Sequence, residues 1–271
     1  MHFGVTGASG FIGREIIEAC SAARFPISTL RLTFRDSEID LSDVEKQLDN
    51  LKLDVLVHTA AIRKPKTKFE RAFNIELPFK LKAALGKISP NARFIHFSSM
   101  NVLLTQRNDV YTKTKRLAEE NFQGTNVTII RPTLVWSWAA DARGDPGRLI
   151  KYLNFPLPVH PVPYPGQSYR PIDVKELARK VVNASTDKHQ PGVVNVIGNK
   201  SMTLWELANI MARQKGVRLV PIPIEILEKL FPDNLKNFFP AVLRSTNGSV
   251  PDLNFGMAAE AIWELPFEVP G

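Results

Sequence analysis

Near the start of the chain three glycines fall in a turn between a strand pattern and a helix pattern, and that turn constrains the fold more than any other feature. His2–Gly7 reads as a strand, and Phe11–Ala23 sets Ile12, Ile16, Ile17 and Cys20 on one helical face. Between them runs Thr6-Gly7-Ala8-Ser9-Gly10-Phe11-Ile12-Gly13. One glycine lets the backbone turn tightly, a second lets it approach an anionic group closely, and a third lets the helix pack against the sheet. The helix start then offers free amide hydrogens and the positive end of its dipole. Glycine spacing alone is weak evidence. With a strand before it and a helix after it, the turn points to the pyrophosphate of a dinucleotide.

The rest of the first half repeats the alternation. Thr29–Phe34 reads as a second strand, Leu41–Leu51 as a helix, and Asp54–His58 as a short apolar strand buried on both faces. Phe69–Leu85 is helical, with Pro78 kinking or splitting it. Arg93–Ser98 is a strand, Tyr111–Phe122 a helix and Val127–Arg131 a strand. Such alternation implies right-handed crossovers and a parallel sheet. After Pro132 the chain turns rich in Pro, Gly and aromatics, with one helix near Arg148–Leu153. Regular structure returns with a helix from Asp173 to Ser185 and a strand at Val193–Ile197. Thr203 and Glu206 then form a capping box for a helix that Gly216 ends. The tail from Pro221 carries two short helical pieces, with Ile224, Leu227, Leu230, Phe238 and Phe239 as lobe core or a cover. The expected organisation is a dinucleotide-binding core over residues 1–135, to which 173–198 return, and a smaller C-terminal substrate-binding lobe mainly within 136–271.

Hydrophobic residues make up 44% and charged residues 23%, which excludes a disordered chain. No stretch approaches the ~18 apolar residues of a membrane span, and no signal-peptide pattern opens the chain. Cys20 is the single cysteine, so neither a disulfide nor a cysteine metal cluster is expected, and a cytoplasmic location is the default. Net charge is +8, which favours anionic ligands. The densest basic run is Arg63-Lys64-Pro65-Lys66-Thr67-Lys68. Without a helix-turn-helix cue or an aromatic-interleaved basic strand, nucleic acid is not an expected partner. Neither is a membrane.

The second strand ends in Phe34-Arg35-Asp36. An acid here suits the ribose hydroxyls of NAD, and an Arg suits the 2′-phosphate of NADP. With Arg35 first, NADP(H) is favoured over NAD(H). Further on, Tyr111-Thr-Lys-Thr-Lys115 puts a phenol and an ammonium on one helical face, just after a strand that ends in Ser98-Ser99. Moving hydride to or from a carbon requires a proton donor or acceptor beside it. Bringing a phenol from a pKa of about 10 to near 7 takes about 4 kcal/mol. A cation at about 4 Å, at an effective dielectric of about 20, supplies that much. His58 and His96 lie inside apolar strands and read as core histidines. Trp136 and Trp138 suit either a stacking surface or rim packing.

These motifs together resemble the extended short-chain dehydrogenase/reductases, the NAD(P)-dependent epimerase/dehydratase group. The resemblance rests on TGASGFIG (Thr6–Gly13), DVLVHTAA (Asp54–Ala61), FNIEL around Asn74, FIHFSSMNV (Phe94–Val102), YTKTK (Tyr111–Lys115), RPT (Arg131–Thr133) and YRPIDV (Tyr169–Val174). They stand in the family's order over about the first 200 residues. The resemblance implies an α/β doubly wound parallel sheet of the Rossmann type, with Ser99, Tyr111 and Lys115 as a catalytic triad. It implies Gly7, Ser9, Gly10, Phe11, Ile12 and Gly13 around the pyrophosphate, Arg35 at the 2′-phosphate, and Asp40 and Leu41 beside the adenine. Thr59, Ala60, Ala61, Asn74 and Phe97 would line the cofactor, and Arg131, Pro132 and Thr133 would border the nicotinamide. Met100, Asn101 and Arg170 would face the substrate, with Arg170 on its diphosphate.

Ser99 and Tyr111 stand only twelve positions apart, which trims the substrate rim. The stretch after Thr133 reads Leu-Val-Trp-Ser-Trp where the family usually has an aromatic and a Gly. The abbreviated second-strand region is similar to the nucleotide-sugar reductase branch. The implied function is an NAD(P)-dependent oxidoreductase acting on a carbonyl or hydroxyl carbon, in a nucleotide-activated sugar. Two alternatives stand beside it: a sugar-nucleotide epimerase that retains NAD, and a catalytically silent NADP(H)-binding structural or regulatory protein. The helices Phe69–Leu85 and Tyr111–Phe122 are those through which similar proteins form homodimers.

Overall fold

The structure is a computed structural model. It describes residues 1–35, 38–105, 107–122, 127–139, 144–164, 168–187, 192–223, 226 and 261–269, with the backbone alone at 34, 35, 38 and 39. In chain order the elements begin β1 (Phe3–Thr6), α1 (Phe11–Ala22), β2 (Ile27–Thr29), β3 (Phe34–Arg35), β4 (Glu38–Ile39), α2 (Leu41–Leu51) and β5 (Val55–His58). They continue with α3 (Lys68–Ile75), α4 (Leu77–Ile88), β6 (Arg93–Phe97), α5 (Val110–Glu120), β7 (Thr128–Pro132), β8 (Val135–Trp136), α6 (Gly144–Leu153), β9 (His160–Tyr164), β10 (Ser168–Tyr169) and β11 (Ile172–Asp173). The chain closes with α7 (Val174–Ala184), β12 (Val193–Gly198), β13 (Met202–Thr203), α8 (Leu204–Lys215), β14 (Leu219–Pro223) and β15 (Ala261–Leu265). Two compact units result. The first comprises Met1–Pro132, Val174–Val196 and Met257–Trp263; the second comprises Thr133–Asp173, Ile197–Gly256 and Glu264–Gly271.

The first unit is built on a seven-stranded sheet in the order β15-β12-β7-β6-β5-β1-β2. From β2 through β12 every neighbouring pair is parallel. The apolar runs of β1, β5 and β6 are explained by this placement, since Phe3, Val5, Val55, Leu56, Val57 and Ile95 are fully buried or nearly so. Val44 and Leu48 of α2 and Leu77, Leu81 and Leu85 of α4 pack with Leu56 and Phe94 into one core. From β1 the chain runs outward to β2 and then returns to add β5 on the other side. The carboxyl ends of β1 and β5 therefore flank the point where strand order reverses, which is where open α/β sheets bind ligands.

Two expected elements of the first unit differ. The second sheet strand is Ile27–Thr29, in register with Phe3–Val5, rather than Thr29–Phe34. Arg24 takes a left-handed φ of 60° and the Phe25 N–H returns to Cys20 O at 3.0 Å. The chain thus reverses immediately after α1, and the ladder starts early, with the Phe3 N–H on Pro26 O at 2.9 Å. Phe34–Arg35 pairs instead with Glu38–Ile39 in an antiparallel ribbon. The Arg35 side chain, and Asp36 with it, lie outside the described residues. The expected helix Phe69–Leu85 is two helices. The first opens on a capping box, Thr67 with Glu70, and the second carries Pro78 in its first turn, where a missing N–H breaks no helical bond.

In the second unit Trp136, Leu149, Leu153, Val162, Leu207 and Phe267 form a separate core. The Thr203–Glu206 capping box and the Gly216 terminus, at φ 66°, stand as the sequence implies. α6 begins earlier than expected, at Gly144. The tail positions Ile224, Leu227, Leu230, Phe238 and Phe239 lie outside the described residues. No helix among the described residues is long and apolar enough to cross a membrane. Among the same residues no group of three or more His, Cys, Asp or Glu is placed to hold a metal ion.

Candidate functional site

The glycine turn is packed as its sequence requires. Gly7 has φ +72°, and a Cβ there would lie 2.7 Å from Ala60 N and 2.8 Å from Thr59 Oγ1. A Cβ on Gly13 would lie 2.2 Å from Gly7 O. α1 starts at Gly10 with no side-chain cap and no acid in its first turn, so neither a cap residue nor a first-turn carboxylate competes for those amide hydrogens. Phe11 and Ile12 are half-buried and Ser9 is exposed. The Thr59 hydroxyl donates to Thr6 O at 2.8 Å and ties the end of β5 to the turn. A turn that excludes side chains and presents an uncapped helix end fits a dinucleotide pyrophosphate. Asp40 caps α2 by accepting from the Asp43 N–H at 3.2 Å, and Leu41 follows half-buried.

Asn74 is 1% exposed. It accepts from the Ile62 N–H and donates to Ile62 O, both at 2.8 Å, and donates to Thr114 Oγ1 at 3.1 Å. Thr114 in turn donates to Tyr111 O at 2.8 Å. The segment after Ala60 and Ala61 is thereby fastened through α3 to the helix that bears Tyr111. Asn74 was expected to line a cofactor; its amide here holds that loop in place.

α5 starts at Asp109, which accepts from the Thr112 N–H at 3.0 Å and the Thr112 hydroxyl at 2.7 Å. Tyr111 is half-buried in its first turn. One turn on, Lys115 is 2% exposed; its Nζ donates to Phe97 O at 2.6 Å and lies 5.9 Å from the centre of the Tyr111 ring. Burial pushes the Lys115 amine down to about 8, while the Glu119 carboxylate pulls the other way. Phe97 ends β6, and Ser99 follows two residues later. The Ser99 hydroxyl accepts from the Asn101 N–H at 3.3 Å and caps a short 3-10 turn, Met100–Leu103. Met100 is buried at 4%. Asn101 is half-buried and accepts from Arg107 at 3.2 Å. Arg107 also pairs with Asp109 at 2.8 Å, so the short loop before Tyr111 is braced from within.

Arg131 meets Glu119 side-on: Nε lies 3.0 and 3.1 Å from the two carboxylate oxygens and Nη2 contacts Oε2. Each side chain is 11% exposed. This pair fixes α5 to β7, and sequence reasoning did not find it. The available signal was Glu119 standing four residues after Lys115, on the same helical face. Behind the site, His58 and His96 stack with ring centres 5.5 Å apart. His58 Nδ1 and the Thr6 hydroxyl share a hydrogen bond of 2.7 Å. Burial, reinforced by the Lys115 charge, pushes His58 down to about 3 and His96 well below its usual value. Both are core histidines, as their strand context implied.

Pro132 ends β7 in the first unit. In the second unit the Thr133 hydroxyl donates to Arg170 O at 2.6 Å. Arg170 donates from Nε to Gly198 O at 2.7 Å and pairs with Glu264, so a diphosphate contact there would compete with Glu264. Trp136 is fully buried and Trp138 donates to Glu268 O at 3.0 Å; both belong to the packing of that unit.

The sequence profile of the NAD dependent epimerase/dehydratase family matches residues 4–196, well over half the chain. A search of curated proteins finds no match. Among solved structures the fold is similar to dTDP-4-dehydrorhamnose reductase from Yersinia enterocolitica, at 15% identity, 85% of each chain and a TM-score of 0.68. It is similar to dTDP-4-dehydrorhamnose reductase from Bacillus anthracis str. Ames in complex with NADP, at 17% identity, 83% of this chain, 86% of that one and a TM-score of 0.69. It is also similar to the Bordetella bronchiseptica enzyme WbmG in complex with NAD, at 19% identity, 82% of this chain, 80% of that one and a TM-score of 0.68. At these identities the structures establish the fold, and the profile establishes membership: the chain belongs to the NAD dependent epimerase/dehydratase family.

Proposed function

We propose that the protein is an NADP(H)-linked oxidoreductase that interconverts a carbonyl and a hydroxyl carbon in a nucleotide-activated sugar. The observation that carries this reading is Lys115. It is an almost fully buried amine one helical turn from Tyr111, anchored on the Phe97 carbonyl that ends β6, two residues before Ser99 in the chain. A bound nicotinamide dinucleotide supplies or accepts the hydride. Tyr111 gives or takes the proton at the reacting oxygen, Ser99 hydrogen-bonds that oxygen, and Lys115 stabilises the phenolate. For an ammonium and a phenolate about 6 Å apart, at an effective dielectric of about 20, the attraction is about 3 kcal/mol. That is most of what a phenol needs to exchange protons near neutrality.

The glycine turn and the uncapped start of α1 are the pyrophosphate seat. Thr59, Ala60, Ala61, Phe97 and Pro132 end or follow the strands beside it. The preference for NADP(H) rests on Arg35 and is supported by the fold likeness to an NADP complex; the likeness to an NAD complex makes the preference a matter for titration. The nucleotide-sugar substrate is supported by dTDP-4-dehydrorhamnose reductases and a UDP-bound WbmG among the similar folds.

The test pairs a cofactor titration with turnover of nucleotide-activated keto sugars. The Tyr111→Phe variant is expected to bind NADPH as the parent does and to lose roughly 10²–10⁴-fold in turnover, the usual contribution of a positioned acid–base group. Undiminished turnover in that variant refutes the role. Purified protein that carries NAD and epimerises without net cofactor consumption refutes the reductase assignment.

A further inference from the structure

In the second unit the loop after α6 reads Phe155-Pro156-Leu157-Pro158-Val159, and all five residues are exposed. Phe155 is 46% exposed, Leu157 37% and Val159 36%. Apolar side chains held in water at a loop tip are costly, and the backbone beneath them is prepared for a different medium. The prolines have no N–H. The Phe155 N–H donates to Tyr152 O at 3.1 Å, and the Leu157 N–H donates to Phe155 O at 2.7 Å around Pro156. Four of the five positions therefore bring no unbonded donor into a low-dielectric region, where an unbonded donor would be penalised.

The strands that follow repeat the device. His160 N–H donates to Arg218 O at 2.8 Å, and β9 and β14 pair in parallel with His160 opposite Leu219. With a strand period of two, residues 160, 162 and 164 face β14, and 218, 220 and 222 face β9. Pro161 and Pro163 on one strand, and Pro221 and Pro223 on the other, then occupy the outward positions. Within the two strands the outer edge of β9 presents no N–H donor and that of β14 presents the Leu219 N–H alone, so the ribbon is a poor template for an added strand.

The segments that build this tip carry charge of one sign. No Asp or Glu occurs from Pro146 to Ile172, or from Leu207 to Ile224. Lys215 donates to Asn154 Oδ1 at 2.8 Å, directly before the loop. Arg218 is joined to His160, directly after it, and both bases are exposed. Val220 extends the apolar surface along β14 at 37% exposure.

We propose that Phe155, Leu157, Val159 and Val220, with Lys215 and Arg218 beside them, form a peripheral docking surface for an anionic lipid bilayer. The apolar tips enter the headgroup boundary and the bases meet lipid phosphates. No membrane partner was expected from the sequence, on the ground that no span is present; a surface of this kind needs none. The inference does not depend on the proposed reaction, because none of these residues belongs to it.

The test is flotation of the full chain with vesicles of equal phosphatidylglycerol and phosphatidylcholine, against phosphatidylcholine alone. Binding to the anionic vesicles is expected, weakening as salt rises. The double variant Phe155→Ser/Leu157→Ser is expected to bind at least about tenfold more weakly with an unchanged melting temperature, while Arg63→Glu/Lys64→Glu binds nearly as the parent does. An environment-sensitive fluorophore on Leu157→Cys, with Cys20 buried, is expected to shift to the blue only when anionic vesicles are added. Three results overturn the proposal: no flotation at low salt, equal flotation of the Phe155/Leu157 variant, or a fluorophore that responds to protein concentration without vesicles, which marks self-association instead.

Discussion

Replacing Glu119 with Gln probes the clamp that holds the helix bearing Tyr111 and Lys115. The parent carboxylate takes both bonds from Arg131 Nε, at 3.0 and 3.1 Å, and a further contact from Nη2, with each side chain only 11% exposed. Gln keeps the shape and one oxygen but removes the charge, which leaves a guanidinium with little water to compensate it. Breaking a buried pair from one side costs about 3–5 kcal/mol; the retained oxygen places this variant near the lower figure, about 3 kcal/mol. For a chain of this size that is a fall in Tm of roughly 6–12 °C. Replacing both partners, Arg131→Met with Glu119→Leu, leaves no orphaned charge and is expected to recover most of the loss. Thermal melts of the parent, Glu119→Leu, Arg131→Met and the double form a cycle whose coupling term isolates the pair. A Glu119→Gln protein that melts within about 1 °C of the parent would falsify the clamp, since at that magnitude the pair behaves as an exposed one. A double variant as unstable as the worse single would mean that the positions matter through packing alone.

Lys115 should leave a signature in pH-dependent stability. Its amine sits at about 8 in the fold against 10.5 when free, so between those pH values the unfolded chain binds the extra proton and stability rises with pH, by up to about 3 kcal/mol. Urea melts of Lys115→Met should lack that rise, and a parent curve that parallels the variant's across the window shows that the amine is not buried as described. His58 and His96 are expected to stay neutral at pH 5, well below the ordinary histidine midpoint. Nitrogen NMR of the imidazoles reads this directly, and two rings that titrate near pH 6.5 contradict the placement. Gly13→Ala forces a methyl to within 2.2 Å of Gly7 O, so NADPH affinity should fall by well over tenfold, and calorimetric titration at parent-like affinity would show that the turn has room to spare.

What was legible in the sequence is what local patterning encodes. The glycine turn could be read because φ +72° at Gly7 and the contact of Gly13 with Gly7 O leave a mark on residue identity at each position. The buried strands could be read because burial on both faces demands unbroken apolar runs. The second strand was placed too late because the decisive event, the left-handed reversal at Arg24, occurs at a residue whose identity does not announce it. Side-chain partnership was the least legible. Asn74, Arg131 and Arg170 each stand where a family motif puts a ligand-facing group. Each also makes hydrogen bonds that brace the fold: to Ile62 and Thr114, to Glu119, and to Gly198 and Glu264. Motif spacing records which residue occupies a position, and a polar side chain that braces a site occupies the same neighbourhood as one that fills it. Lys115 is the residue to which the proposed function assigns both roles: burial fixes its place and Phe97 O fixes its direction, while the stabilisation of a Tyr111 phenolate is the part that the Tyr111 and Lys115 variants test.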